Sequence, residues 1–138
     1  MKVALLFPPQ WYPSQPYLAL PSLKAHLESR GHEVDQFDLN IECYDVFLSR
    51  KYLEHCVRVI KERLADSSRF NQDKEVRPVY KDILSDNAFL ESVLDEVEDA
   101  KNVLRDENRF FQFDKYSKAY TSLKIAMQLI SYAHHPSR

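Results

Sequence analysis

The chain has a single glycine, Gly31, among its 138 residues. A phosphate-binding loop needs several glycines, because backbone amides must approach the phosphate closely. Sandwiches and barrels need glycines in their many turns. The composition therefore argues against a dinucleotide-binding loop and against an all-β fold, and it favours a helix-rich chain.

The chain also has no large excess of positive or negative charge, since 19 basic and 21 acidic residues give a formal net charge of -2. A surface for nucleic acid or for an anionic membrane needs clustered positive charge, so we expect neither partner. No apolar run approaches the roughly 20 residues of a membrane span. Lys2 precedes only five apolar residues, too few for a secretory leader, and we expect a cytoplasmic protein.

Cysteine and histidine give no metal-binding signature. Cys43 and Cys56 are thirteen positions apart, a spacing that fits neither zinc nor iron–sulfur sites. Both fall on the apolar stripe of a predicted helix, where we expect plain buried thiols. The five histidines share no metal-binding spacing on a common helix, and no motif orders a catalytic serine. We therefore predict no metal ligands and no catalytic residues.

The first forty residues carry the clearest organisation. An apolar run predicts a buried strand over residues 2–7, and a helix beginning near Tyr17 or Pro21 should end at Gly31 as a left-handed cap. A weaker strand, residues 32–39, follows. This order predicts the opening of a parallel α/β sheet, in which ligands bind at the carboxyl ends of the strands.

From residue 41 onward the apolar positions follow a helical period. A helix break is expected near Ser49, a helix after Pro78 and a longer one from Ser85 or Asp86. A connection over residues 105–113 should then lead to a last helix capped by Asp114. The predicted apolar stripe of that last helix is Tyr116, Tyr120, Leu123, Met127, Ile130 and Ala133. The predicted class is helix-rich α/β, with a partial Rossmann-like β-α-β unit over residues 1–40 and a helical region over residues 41–138.

Two strands alone make a marginal sheet. The helices could cover it, a second copy of the chain could extend it, or the chain could be part of a longer protein. We favour the last of these.

The loop after the first strand contains four prolines and two aromatic residues within residues 8–16. It is either a rigid surface loop whose Trp11 and Tyr12 fold onto the core, or a wall for a large flat ligand. Asp38 and Asn40 either line the same strand ends or form a turn and helix cap. The candidate cofactor-binding residues are Pro8, Pro9, Gln10, Trp11, Tyr12, Pro16, Tyr17, Asp38 and Asn40.

Several of these stretches resemble the start of cobalamin-binding-domain radical SAM proteins. The stretches are Lys2-Val3-Ala4-Leu5-Leu6-Phe7-Pro8-Pro9, Pro13-x-x-Pro16-Tyr17-Leu18-Ala19-Leu20-Pro21-Ser22-Leu23, Arg30-Gly31-His32-Glu33-Val34 and Asp38-Leu39-Asn40. Ile41-Glu42-x-Tyr44 with Leu48-Ser49, residues 110–116 and residues 133–138 are similar to one branch of that family. In this family an N-terminal Rossmann-like domain holds cobalamin against a radical SAM barrel. A Cys-x-x-x-Cys-x-x-Cys motif in the barrel holds the iron–sulfur cluster that cleaves S-adenosylmethionine.

The resemblance implies that this chain is an N-terminal, cobalamin-binding-like fragment of a radical SAM enzyme, a methyltransferase or a related type. The three-cysteine motif is absent from the sequence, so the fragment should be catalytically inert alone. The iron–sulfur cluster and S-adenosylmethionine would belong to a downstream barrel of the same chain. Asp-x-His-x-x-Gly, which supplies histidine to cobalt in other cobalamin domains, is absent too, and we expect weak or no cobalamin binding by the fragment. The alternative is a non-catalytic helical interaction or dimerisation module without a cofactor, whose helices would dock a partner or a second copy of the chain as a homodimer.

Overall fold

The computed structural model describes residues 1–9, 17–66, 68 and 73–135. This part of the chain forms two strands and seven helices. They are β1 (Lys2–Phe7), α1 (Ala19–Ser29), β2 (Glu33–Asp38), α2 (Leu39–Phe47), α3 (Arg50–Ala65), α4 (Arg77–Ser85), α5 (Asn87–Arg105), α6 (Glu107–Phe110) and α7 (Phe113–Ala133). The chain divides into two compact units, Met1–Val46 and Phe47–Arg138. The helix-rich composition and the small parallel sheet agree with the sequence prediction.

In the first unit, β1 and β2 are parallel neighbours, with Val3 opposite Val34 and Phe7 opposite Asp38. α1 connects them and packs against both strands. Its predicted end at Gly31 is confirmed: the glycine has φ of +79°. The Gly31 amide donates to the Glu28 carbonyl (3.0 Å), and the His32 amide donates to the Leu27 carbonyl (3.2 Å). These two bonds form a Schellman motif, which turns the chain directly from α1 into β2.

The prediction that β1 is a buried strand is wrong for one of its faces. Phe7 is 5% exposed and Val3 is half-buried, whereas Ala4 is exposed and Leu6 is 60% exposed. Side chains alternate between the faces of a strand, and α1 covers only one face of this sheet. The apolar sequence of β1 is therefore typical of a strand that is buried on both faces. In the part of the chain that the structure describes, only one face of β1 is covered.

The second unit is built around α3, α5 and α7, which pack against one another. Its core includes Leu53, Ile60, Val97 and Ala126, each inaccessible to solvent. The predicted break near Ser49 is confirmed, because the Ser49 hydroxyl accepts a hydrogen bond from the Tyr52 amide and begins α3.

Two further helix starts agree with the sequence. Pro78 lies in the first turn of α4, where an amide would lack an intrahelical partner in any case. Asp86 caps α5, since its carboxylate accepts from the Phe89 amide at 2.9 Å. Within the described helices, none combines the length and the apolar composition needed to cross a membrane.

Two predictions for the end of the chain are corrected. Asp114 does not cap α7; it lies in the first turn, and Gln112 occupies the cap position. The predicted connection before α7 contains the short helix α6, which Asp106 caps.

The buried stripe of α7 is also rotated from the predicted one. It consists of Ala119, Ser122, Leu123, Ala126, Leu129 and Ala133. Tyr120 is 40% exposed instead. Small side chains make up most of the buried face of α7, so the period of the large apolar residues did not identify that face.

The two cysteines differ in environment. Cys56 lies on the buried face of α3 and is 0% exposed, as predicted, whereas Cys43 is only half-buried. Burial raises the pKa of the Cys56 thiol to about 11, because the apolar surroundings disfavour the thiolate. The thiolate is the reactive form of cysteine, so Cys56 should be chemically inert near neutral pH.

We predict that Cys56 in the folded Cys43→Ser variant is alkylated by iodoacetamide at pH 8 at least about a hundredfold more slowly than a free thiol. The rate should rise as the pH approaches 11, because the thiolate fraction increases. Mass spectrometry of timed samples measures the rate, and the urea-unfolded variant serves as the control. Equal rates for folded and unfolded protein would show that Cys56 is accessible.

Candidate ligand-binding site at the strand ends

The carboxyl ends of β1 and β2 lie side by side, because the parallel register places Phe7 opposite Asp38. Pro8 and Pro9 continue from β1 and are exposed, and Tyr17 leads into α1 on the other side of the loop. Open α/β sheets bind ligands at this edge. Three of the candidate residues, Pro8, Pro9 and Tyr17, therefore lie near the ends of the elements that would position them.

Tyr17 is held by an aromatic stack. Its ring lies parallel to that of Phe7, with 4.0 Å between the centroids and 14° between the planes. Phe7 is buried, whereas Tyr17 stays 40% exposed. The stack fixes the orientation of an accessible aromatic side chain beside the loop, which limits the entropy that Tyr17 would lose on contacting a ligand.

Asp38 acts as the cap of α2. Its carboxylate oxygen Oδ1 accepts a hydrogen bond from the Ile41 amide at 3.1 Å. Asn40 does not share this role, because it lies inside α2 and is only 3% exposed. The turn-and-cap interpretation therefore accounts for Asp38, and Asn40 could contact a ligand only after a rearrangement.

The remaining candidates, Gln10, Trp11, Tyr12 and Pro16, lie outside the described residues. The two interpretations of the loop, packed onto the core or lining a ligand, both stay predictions. Among the histidine, cysteine, aspartate and glutamate side chains that the structure describes, no group of three is placed to hold a metal ion. The described part of the site offers apolar and aromatic contact together with the Asp38 carboxylate.

Two surface features of the second unit were not identified from the sequence. The first is an aromatic surface at the junction of α6 and α7, formed by Phe110, Phe111, Phe113 and Tyr116. The second is an apolar cleft beside α4, lined by residues from three helices. The first had a local signal, three phenylalanines within four positions. The second had none, because its lining residues are brought together only by helix packing.

Comparisons with protein-family models, with curated proteins and with solved structures give no match for this chain.

Removing the Asp38 cap should destabilise the protein. We predict that Asp38→Ala lowers the free energy of unfolding by about 1 kcal/mol, because the Ile41 amide loses its acceptor. Asp38→Asn is the matched control and should restore most of that loss, since an asparagine oxygen can accept the same bond. Urea unfolding followed by circular dichroism measures both. If Asp38→Ala were as stable as the parent, the cap would not contribute to folding.

Proposed function

We propose that this chain is a cobalamin-binding-like, Rossmann-type portion of a radical SAM protein, and that it has no catalytic activity by itself. The observation that carries the proposal is the character of β1. This strand is apolar at every position from Val3 to Phe7, a pattern typical of a parallel strand covered on both faces. Yet Leu6 is 60% exposed, and its register partner Phe37 is 44% exposed.

The edges of the sheet support the same proposal. Glu33 bonds through its amide to the Met1 carbonyl, on the β1 side. Successive residues of a strand direct their backbone groups to opposite sides, so the Val34 carbonyl faces away from β1. It accepts a hydrogen bond from the Lys24 ammonium at 3.1 Å. Lys24 of α1 thus occupies a carbonyl on the outer edge of β2 and opposes pairing with a further strand there, which makes β2 the natural end of the sheet.

A sheet that ends at β2 would continue from the opposite edge of β1. Further parallel strands on that side, with a covering helix, would place β1 in the interior of a doubly wound sheet. The polar sequence of β2 suits an outer strand, and that of β1 suits an inner one. The resemblance noted in the sequence assigns those strands to the downstream part of a longer protein.

The described end of the sheet is compatible with a corrin ring. Exposed Pro8 and Pro9 and the stacked Tyr17 present flat apolar surfaces, and planar apolar ligands are bound by such surfaces. With Gln10, Trp11, Tyr12 and Pro16, they would hold cobalamin by shape and van der Waals contact. Cobalamin, when bound in this family, often supplies methyl-group transfer. Asp38 would remain a helix cap at the rim, and Asn40 would support α2 from inside.

The test uses the protein encoded by the reading frame extended beyond residue 138. We expect a three-cysteine motif in the extension, and a corrinoid absorption band that remains with the protein after loading with hydroxocobalamin and desalting. Trp11→Ala and Tyr17→Ala should each lower the retained corrinoid several-fold, because each removes an aromatic contact surface. Tyr17→Phe is the matched control and should retain corrinoid, since it keeps the ring that stacks on Phe7.

An extension without the three cysteines would contradict the radical SAM assignment. A full-length protein that assembles an active cluster but excludes corrinoid would contradict the cobalamin assignment alone. Retention by Trp11→Ala equal to that of the parent would remove Trp11 from the site.

A second candidate function is dimerisation, favoured by the aromatic surface of Phe110, Phe111, Phe113 and Tyr116. Phe111 is 82% exposed and Phe113 is 79% exposed. The ring of Phe110 packs edge-on against those of Phe111 and Tyr116, with 5.3 Å between centroids in each pair. Exposed aromatic clusters mark protein–protein contact sites, and a second copy of the chain would bury this one symmetrically.

Dimerisation through this surface predicts a concentration-dependent molecular mass. Sedimentation equilibrium should show a dimer in the micromolar range, and Phe111→Ser combined with Phe113→Ser should give a monomer. The control is Val46→Ser, which changes an exposed apolar side chain of the first unit. A parent chain that is monomeric at about 100 μM would exclude the dimer.

A further inference from the structure

The second unit contains an apolar cleft of about 270 Å³ between α4, α5 and α7. It exists because α4 packs against α3 and α5 without lying along α7. Tyr80 of α4 bridges the gap at one point, where its hydroxyl donates to the Tyr132 carbonyl at 3.0 Å. Away from this hydrogen bond, the side chains of α4, α5 and α7 leave a concave apolar surface between the three helices.

The lining of the cleft is almost wholly apolar and carries no charged residue. Each of the three helices contributes two aliphatic side chains, namely Val79 and Ile83, Leu90 and Val93, and Ile125 and Leu129. Phe89 is 47% exposed and forms the rim. Water in such a space would lack the two to four polar partners that ordered water needs, so an apolar occupant would be favoured over solvent.

Two polar side chains of α7, Gln128 and Tyr132, complete the lining. They are four positions apart and therefore neighbours on one face of the helix. Ligand sites in proteins are mostly apolar cavities with a few polar groups that fix the orientation of the ligand. Gln128 and Tyr132 could exchange one hydrogen bond with a polar atom at one end of an otherwise apolar molecule.

The size and shape of the cleft favour a small molecule over a protein partner. Leu90, Val93 and Leu129 are each at most 5% exposed, so these walls offer a partner little accessible area. A stable protein interface removes about 800 Å² from each partner. An apolar cavity of about 150 Å³ accommodates benzene, so this cleft matches a molecule of about two fused rings.

We propose that the cleft between α4, α5 and α7 binds a small, neutral, largely apolar molecule of about two fused rings with one hydrogen-bonding group. This site lies within the second unit and does not depend on cobalamin binding by the first. The absence of charged lining residues sets its selectivity: a carboxylate on the same ring system would lose its hydration without gaining a cationic partner.

The test uses the complete 138-residue chain and indole as the probe. Two-dimensional NMR of methyl-labelled protein should show saturable shifts confined to the aliphatic residues that line the cleft, namely Val79, Ile83, Leu90, Val93, Ile125 and Leu129. The dissociation constant should be on the order of 1 mM or tighter, as expected for a ligand of this size. Indole-3-carboxylate should bind at least tenfold more weakly, because no charged residue lines the cleft.

Two tryptophan substitutions provide a matched pair on α7. Ile125→Trp should fill the cleft and weaken indole binding at least tenfold, whereas Lys124→Trp places the same side chain on the exposed face and should leave binding unchanged. If Ile125→Trp fails to fold, the indole titration of the unsubstituted chain still tests whether the cleft binds the probe. Absence of saturable shifts up to 5 mM, shifts scattered over the surface, or equal binding of the carboxylate would each overturn the proposal.

Discussion

The second unit depends on the close approach of α5 and α7, which form its most extensive helix–helix contact. Small side chains at Ala119, Ser122 and Ala126 make this approach possible, and they are buried against a face of α5 that includes Val97 and Ala100. Where two helices pack closely, each small residue permits dispersion contacts that a bulkier residue would prevent. α3 packs against both helices of this pair, and α4 packs against α3 and α5.

Polar groups at the margin of this contact fix its register. Glu96 of α5 lies 3.0 Å from the Lys118 ammonium and also accepts a hydrogen bond from the Ser122 hydroxyl. The hydrogen bond from Lys118 is the main cause that lowers the pKa of Glu96. Asp99 binds Arg109 through both carboxylate oxygens, at 2.8 and 2.7 Å. Exposed ion pairs contribute little stability, but the Glu96–Lys118 pair joins α5 to α7 and disfavours sliding of one helix along the other, whereas the Asp99–Arg109 pair joins α5 to α6.

The sequence predicts where helices start and end better than it predicts which face of a helix is buried. Local chemistry determines where a helix starts and ends, and so Gly31, Ser49 and Asp86 were identified correctly. Which face is buried depends on residues far along the chain. Tyr120 was assigned to the buried stripe from the helical period of the apolar residues, yet the buried face of α7 consists mostly of small side chains. The apolar cleft could not be predicted for the same reason, since its walls come from three helices.

In the candidate site at the strand ends, too, the sequence predicted the location but not the role of each residue. Its position at the ends of two parallel strands follows from the order of elements, and the Phe7–Tyr17 stack supports an exposed aromatic surface there. The roles of Asp38 and Asn40 could not be separated by sequence, because both residue types cap helices equally well. Only the hydrogen bond from the Ile41 amide to the Asp38 carboxylate distinguishes them.

The two open surfaces require different occupants, and the reason lies in backbone hydrogen bonding. Among the residues that the structure describes, β1 is paired on one edge, and its other edge carries backbone donors and acceptors that another strand can satisfy as a set. The exposed side chains of Leu6 and Phe37 need apolar cover in addition. In the cleft, the backbone of α4, α5 and α7 is already bonded within each helix, and what remains is apolar volume. A polypeptide therefore suits the sheet, and a small apolar molecule suits the helices.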